Sequence, residues 1–192
     1  MRRIVVFMSL TLDGVMQAPG RPDEDERGGF SHGGWAVPYS DSVMASYAGS
    51  MSNTGGILLG RRTYEDFYSV WPKRTDNPYT EVLNNTQKFV ASRTLEEPLQ
   101  WVNSTLLKGD AAETVAGLKE RTGKDLVVLG SGQLVRSLMR GNLVDEYILL
   151  IHPLVLGSGQ RLFPDRGSSA ALRLVDSKAS TTGVLIATYV PA

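Results

Sequence analysis

The sequence predicts an α/β fold with a mostly parallel central sheet and antiparallel strands towards the C-terminus. Three observations carry this reading. Short, almost unbroken apolar runs recur along the chain, the pattern of strands buried on both faces of a parallel sheet. These runs alternate with segments whose apolar residues fall at helical spacing. The chain then closes on two strand-like stretches, about 171–176 and 183–190, separated by a polar turn, which suits an antiparallel pair. With 192 residues, 42% of them hydrophobic and 21% charged, the chain can bury a substantial core and fits a single domain, 1–192.

Taken in order, residues 3–10 (RIVVFMSL) form the first strand, and Asp13-Gly14 marks the turn after it. Residues 17–34 are rich in Gly, Pro and charge and read as a long surface loop, a type that is often functional inside a compact domain. Asp41 or Ser40 can cap a helix over about 42–52, where Val43, Met44, Tyr47, Ala48 and Met51 repeat at helical spacing. A strand at 56–60 leads to a helix opened near Thr63, with Glu65 and Asp66 in its first turn, and Trp71-Pro72 ends it. A polar stretch with Pro78 precedes a strand at 88–92, and Trp101-Val102 is a weaker strand candidate. An amphipathic helix covers 110–122. A strand at 125–129 then runs through Gly130-Ser131-Gly132 into a helix at 132–140, and 146–152 forms the next strand.

Composition excludes several classes. Twenty Lys and Arg balance twenty Asp and Glu, so there is no basic footprint for nucleic acid. Cysteine is absent, which removes disulfides, a thiolate nucleophile and cysteine-ligated metals. His32 and His152 stand far apart without metal-ligand company, so no metal site is expected. The N-terminal arginines and apolar run suit a strand better than a signal peptide, and no apolar stretch is long enough to span a bilayer. The expectation is a soluble cytoplasmic protein that acts on a small molecule.

Three strand-to-helix or strand-end junctions can hold an anion. At Gly130, Ser131 and Gly132, glycines allow close approach to helix-start amides that lack partners and sit at the positive end of the dipole. Taken alone, the segment reads more readily as a compact turn with no ligand, since it has neither the P-loop lysine nor the Rossmann spacing. At Gly60, Arg61, Arg62 and Thr63, two guanidiniums and a hydroxyl follow a strand. Ser92 and Arg93 close another strand. Three such junctions at carboxyl ends of strands suggest a dinucleotide more strongly than any one of them. The acids of interest are Asp13, otherwise a plain Asp-Gly turn, and Asp41, otherwise a helix cap.

In this order, the pieces resemble the dihydrofolate reductase superfold, with its three-layer architecture. They are most similar to the branch of the riboflavin-biosynthesis reductase domain, the RibD C-terminal domain. The matching residues are Ser9-Leu10-Thr11-Leu12-Asp13-Gly14, Trp35-Ala36-Val37-Pro38, Gly60-Arg61-Arg62-Thr63-Tyr64, Ser92-Arg93, Leu129-Gly130-Ser131-Gly132-Gln133, and 153–159 with Phe163. The resemblance implies NADPH as hydride donor. Arg61, Arg62 and Thr63 would hold the 2′-phosphate and pyrophosphate, Ser92 and Arg93 the adenosine end, and Gly130, Ser131, Gly132, Gln133 and Leu134 the pyrophosphate. Asp13 would border the nicotinamide. Asp41, Trp35 and Tyr47 would line the substrate side. The substrate it implies is a small pyrimidine- or pteridine-like heterocycle, as for a 5-amino-6-(5-phosphoribosylamino)uracil reductase, and it implies a homodimer in which 147–151 contributes.

Departures qualify this. Dihydrofolate reductases carry an acid two residues after the proline of the Trp-x-x-Pro element. Here that position is Ser40, and Asp41 follows it. A one-residue shift at a helix start turns the side chain by about 100 degrees. These 192 residues read as the reductase-like part alone, so a two-step role with a deaminase half is not expected of them. The alternatives left by the sequence are a true dihydrofolate reductase with a displaced acid and a nucleotide-binding protein of this fold without turnover.

Overall fold

The computed structural model describes every residue except Met51, Ser52, Pro78 and Ser168, and the side chains of Tyr47, Ala48 and Ser50 are also outside the description. The chain folds into two compact units, one built from residues 1–5 and 50–144, the other from 6–49 and 145–192. Strand β1 (Ile4–Thr11) begins in the first and continues in the second. Its buried run follows from its near-continuous apolar sequence.

In the first unit the strand order is β4-β3-β2-β5-β1, with β2 at Gly56–Gly60, β3 at Lys88–Ser92, β4 at Ser104–Lys108 and β5 at Leu126–Leu129. β2 pairs in parallel with β3 and β5, and β3 with β4. Every residue of β5 is buried, as an unbroken Leu-Val-Val-Leu run requires. Helices α2 (Arg61–Val70), α3 (Tyr79–Asn85), α4 (Ala111–Lys119) and α5 (Gly132–Arg140) connect these strands. Asp110 caps α4 by accepting hydrogen bonds from the amides of Ala112 (2.9 Å) and Glu113 (3.3 Å). Helix α5 buries Leu134, Val135 and Leu138, the apolar stripe of its 3.6-residue period.

In the second unit the order is β1-β6-β8-β7, with β6 at Glu146–His152, β7 at Leu172–Ala179 and β8 at Leu185–Pro191. β6–β8 and β7–β8 are antiparallel. Helix α1 spans Ser42–Ser50. The expected continuation through Met51 and Ser52 lies outside the described residues. Val15, Ala18, Phe30 and Trp35 form a buried cluster that anchors the long loop. The mixed α/β architecture, with its parallel strands and antiparallel C-terminal pairs, matches the fold class expected from the sequence.

Four local expectations are corrected. Helix α2 opens at Arg61, not near Thr63, because the extended Gly60 (φ −79°, ψ 160°) already serves as its N-cap. The polar stretch after Pro78 is helix α3. The helix expected over 110–122 is shorter, since Asp110 lies outside it as the cap. Trp101-Val102 is not a strand, and the pairing passes to β4. Trp101 is 2% exposed and its groups are taken up by side chains: its amide donates to Tyr64 Oη (2.9 Å) and its Nε1 to Asn84 Oδ1 (2.7 Å). Bulk and burial, not strand pairing, account for its apolar signal.

Candidate functional site

In the first unit, two of the three anion-binding junctions meet. The amide of Gly60 donates to Ser131 Oγ (2.9 Å), and Ser131 Oγ donates to Thr63 Oγ1 (2.9 Å). One hydroxyl thus ties the start of α2 to the start of α5. Ser131 is the N-cap of α5, yet its side chain makes no capping bond to that helix, and Gly60 has no side chain with which to cap α2. The first-turn amides of both helices are therefore left for another acceptor, and both dipoles favour an anion.

The backbone here is shaped for close approach. Gly130 has φ +54°, and a Cβ on it would lie 3.1 Å from Thr63 Cγ2. Ser131 adopts the left-handed conformation (φ 59°, ψ 46°), which a non-glycine residue reaches at a cost of roughly 1–2 kcal/mol. Its two hydrogen bonds hold it there. Arg61 is half-exposed and donates to Glu65 one turn along (Nη1 to Oε2, 3.2 Å), and Arg62 is exposed. Gln133 is exposed, while Gly132 and Leu134 are buried.

The third junction is committed to its own loop. Ser92, buried, accepts from the amides of Thr94 (3.1 Å) and Leu95 (3.0 Å) and so caps the turn after β3. Arg93 points to solvent and donates to Asp110 Oδ2 (3.0 Å). The amides of Glu113 and Ala112, and then Arg93, hold the Asp110 carboxyl below the usual range.

In the second unit, both candidate acids are held as carboxylates. Asp13 accepts from Thr11 Oγ1 (2.5 Å) and from the amides of Leu156 (3.2 Å) and Gly157 (2.8 Å), while Arg161 Nε donates to the Asp13 carbonyl (2.8 Å). Burial would raise its pKa, but the bonds from Thr11 and the two amides outweigh it and the pKa is lowered. Asp41 caps α1 through the Met44 amide (2.9 Å) and accepts from both the amide and the hydroxyl of Thr181 (2.7 Å each). The Met44 amide and the Thr181 hydroxyl lower its pKa. Neither acid is arranged as a proton donor at neutral pH. Trp35 is buried with its Nε1 donating to the Gln17 carbonyl (2.7 Å), and the Tyr47 side chain is outside the described residues. Among the described residues no group of His, Cys, Asp and Glu could hold a metal ion, and no helix is long and apolar enough to cross a membrane.

The sequence model for the RibD C-terminal domain matches residues 2–186. The chain belongs to the RibD C-terminal domain family. Protein YyaP of Bacillus subtilis (strain 168) is 29% identical over 196 residues, covering 98% of this chain and 94% of that protein. A Shewanella sp. PV-4 protein assigned to riboflavin biosynthesis has a crystal structure that matches with a TM-score of 0.76 at 24% identity, covering 99% of each chain. Dihydrofolate reductase from Enterococcus faecalis, solved with NADP(H), matches with a TM-score of 0.62 at 13% identity, over 98% of this chain and 96% of that one. The fold is dihydrofolate reductase-like.

Two further residues organise this RibD C-terminal domain and were not singled out as functional in the sequence. Gln17, buried, donates to the carbonyls of Asp25 (3.1 Å) and Arg27 (3.0 Å) and accepts from the Gln160 amide (2.9 Å). It fixes the long loop from within. His152 ends β6 fully buried, its Nδ1 facing the carbonyls of Leu10 (3.2 Å) and Leu150 (3.0 Å). Two carbonyls can only accept, so Nδ1 carries the proton and Nε2 is a lone pair. Nε2 has no partner among the described residues, and the rings of Trp35 and Tyr39 stand edge-to-face with the imidazole at 5.1 and 5.6 Å. A single polar residue ending the apolar run 147–151 was the only signal in the sequence.

Burial lowers the His152 pKa below its usual 6.5, and the bonds to Leu150 and Leu10 only partly oppose this. The unfolded chain then binds more protons than the folded one at pH values just below 6.5, so stability falls as pH drops through that window. Chemical denaturation between about pH 7.5 and 5 should show wild type losing stability that His152→Asn retains. A parallel loss in both would remove His152 as the cause.

Proposed function

We propose that this chain is an NADPH-dependent reductase, acting as one domain on a small pyrimidine- or pteridine-like heterocycle. The observation that carries the reading is the Gly60–Ser131–Thr63 bridge, which joins two uncapped helix starts beside Arg61 and Arg62. The residues present fit such a cofactor: Gly130, with no Cβ, lets the start of α5 pack closely against Thr63 at the start of α2, and the two arginines supply cations for a 2′-phosphate. Gly132, Gln133 and Leu134 would offer their amides to the pyrophosphate, with Ser92 and Arg93 towards the adenosine. Bound NADPH would supply hydride. The chain itself would bind, orient and exclude water.

In the second unit, Asp13 and Asp41 would act by position. Asp13 pins the turn after β1 to the Leu156-Gly157 backbone, and Asp41 fixes the start of α1 to Thr181. Both carboxylates are engaged, which also favours a second reading, a nucleotide-binding protein of this fold without turnover. The commitment of Asp41 to Met44 and Thr181 counts against a dihydrofolate reductase with a displaced acid. The riboflavin assignment of the Shewanella protein favours a uracil-type substrate for this chain, and a homodimer is part of the same proposal.

NADPH fluorescence titration followed by oxidation assays with lumazine, uracil derivatives and dihydrofolate tests the reading. Binding with oxidation of NADPH by a pyrimidine or pteridine is the expected result. Binding without oxidation across the panel selects the non-catalytic reading, and no NADPH binding overturns both.

A further inference from the structure

His152 is a buried polar group that the proposed cofactor site does not use. The carbonyls of Leu10 and Leu150 both face Nδ1, so they fix the tautomer and leave Nε2 as a lone pair directed away from the backbone. A buried acceptor with no partner is costly, about 1–3 kcal/mol. Its retention calls for a donor that arrives from elsewhere.

The surroundings are aromatic and apolar. Trp35 has its indole N–H turned to the Gln17 carbonyl, so its side chain offers Nε2 no donor. Tyr39 is half-buried, lies on the short 3-10 turn Val37–Tyr39, and packs against a cluster of Leu150, Val184 and Ile186. Phe7, Val43, Met44 and Ile148 are packed on the same cluster and are only partly buried. Within the second unit the imidazole is thus set in apolar surroundings that hold one acceptor, Nε2.

We propose that His152 Nε2 accepts a hydrogen bond from a ring N–H of the substrate, and so selects lactam- or imide-type heterocycles over N-alkylated ones. Tyr39, as the less buried of the two flanking rings, gives way to admit the ligand. The proposal deepens the reductase reading by naming the substrate feature, and it rests on that reading for the ligand class. A hydroxyl or an apolar ring in place of the N–H would leave Nε2 unpaired and bind more weakly.

The chain has two histidines, so a protein labelled with 15N-histidine gives two ring systems, and His32→Gln assigns them. Lumazine, with free ring N–H groups, should move the His152 Nε2 resonance towards lower frequency, and 1,3-dimethyllumazine should not. His152→Asn keeps an N–H for the Leu10 and Leu150 carbonyls but removes the acceptor. It should melt close to wild type and bind lumazine about tenfold or more weakly, with NADPH affinity unchanged. The proposal is overturned if lumazine, uracil and dihydropterin all leave the resonance in place, or if dimethyllumazine moves it as far as lumazine does. Because the resonance is read in wild type, a poorly folding variant does not blunt the test. Loss of NADPH binding in wild type would instead sink the reductase reading and leave the shift with lumazine intact.

Discussion

Replacing Arg61 and Arg62 together with alanine should weaken NADPH by about 30-fold or more while changing NADH by no more than about threefold. The two cofactors differ only in the 2′-phosphate, and these two guanidiniums follow Gly60 directly at the start of α2. Charge-assisted bonds to phosphate are roughly twice as strong as neutral ones, so a selective loss is the signature of that contact. Arg61 is already paired with Glu65 at 3.2 Å, and the pair is half-exposed. Glu65→Gln should therefore free Arg61 and tighten NADPH modestly. Titration of both cofactors against wild type and the two variants decides the matter. Equal weakening of NADPH and NADH in the double variant would remove the 2′-phosphate assignment.

The second large effect concerns Lys88, a lysine with no exposed surface in β3. Its Nζ donates to the carbonyls of Leu83 (2.8 Å), Asn84 (3.3 Å) and Thr86 (2.7 Å), and lies 4.5 Å from the centre of the Trp101 ring. The ammonium thus caps the C-terminal end of α3, where carbonyls lack helix partners and the dipole favours a cation. Lys88→Met keeps the volume and removes every one of these bonds. An unfolding free energy about 3 kcal/mol lower is expected. The carbonyls of Leu83 and Thr86 lose their donor, Asn84 keeps only the bond from Asn103 Nδ2 (3.0 Å), and no cation faces the indole; relief from burying a charge offsets part of that cost.

Burial pushes the Lys88 pKa down from 10.5 to about 8. The unfolded chain then holds more protons than the folded one between those values, so wild type gains stability as pH rises from about 8 to 10.5. Below this window the ammonium is charged in both states and the full cost of burying it applies. The gap between wild type and Lys88→Met, measured by denaturant unfolding from about pH 7 to 10.5, should widen with pH. A constant gap would mean that the three carbonyls and Trp101 compensate the burial completely.

Much of the fold was legible before any tertiary contact was known. β1, β2, β3, β5 and β6 follow from short apolar runs, and α5 from its periodic Leu134, Val135 and Leu138. Gly60 and Gly130 were legible as junctions because turn chemistry is local. Trp101 was misread because an indole buried against Lys88 and Tyr64 gives the same apolar signal as a strand residue. Helix α3 was missed because its seven residues bury only Leu83 and show little periodicity.

By itself, the sequence determined strands β1, β2, β3, β5 and β6, helices α2, α4 and α5, and the three glycine- or arginine-marked junctions, because these depend on spacing within a few residues. The tertiary structure alone decided which junctions act together. Ser131 reaches Thr63 across 68 positions and Gly60 across 71, whereas Ser92 and Arg93 turn to their own loop and to Asp110. It also decided that Asp13 and Asp41 each spend an oxygen on residues at least 140 positions away, and that His152 Nε2 has no partner among the described residues. Side-chain hydrogen bonds are set by proximity in space, and a partner so far along the chain leaves no mark on local periodicity.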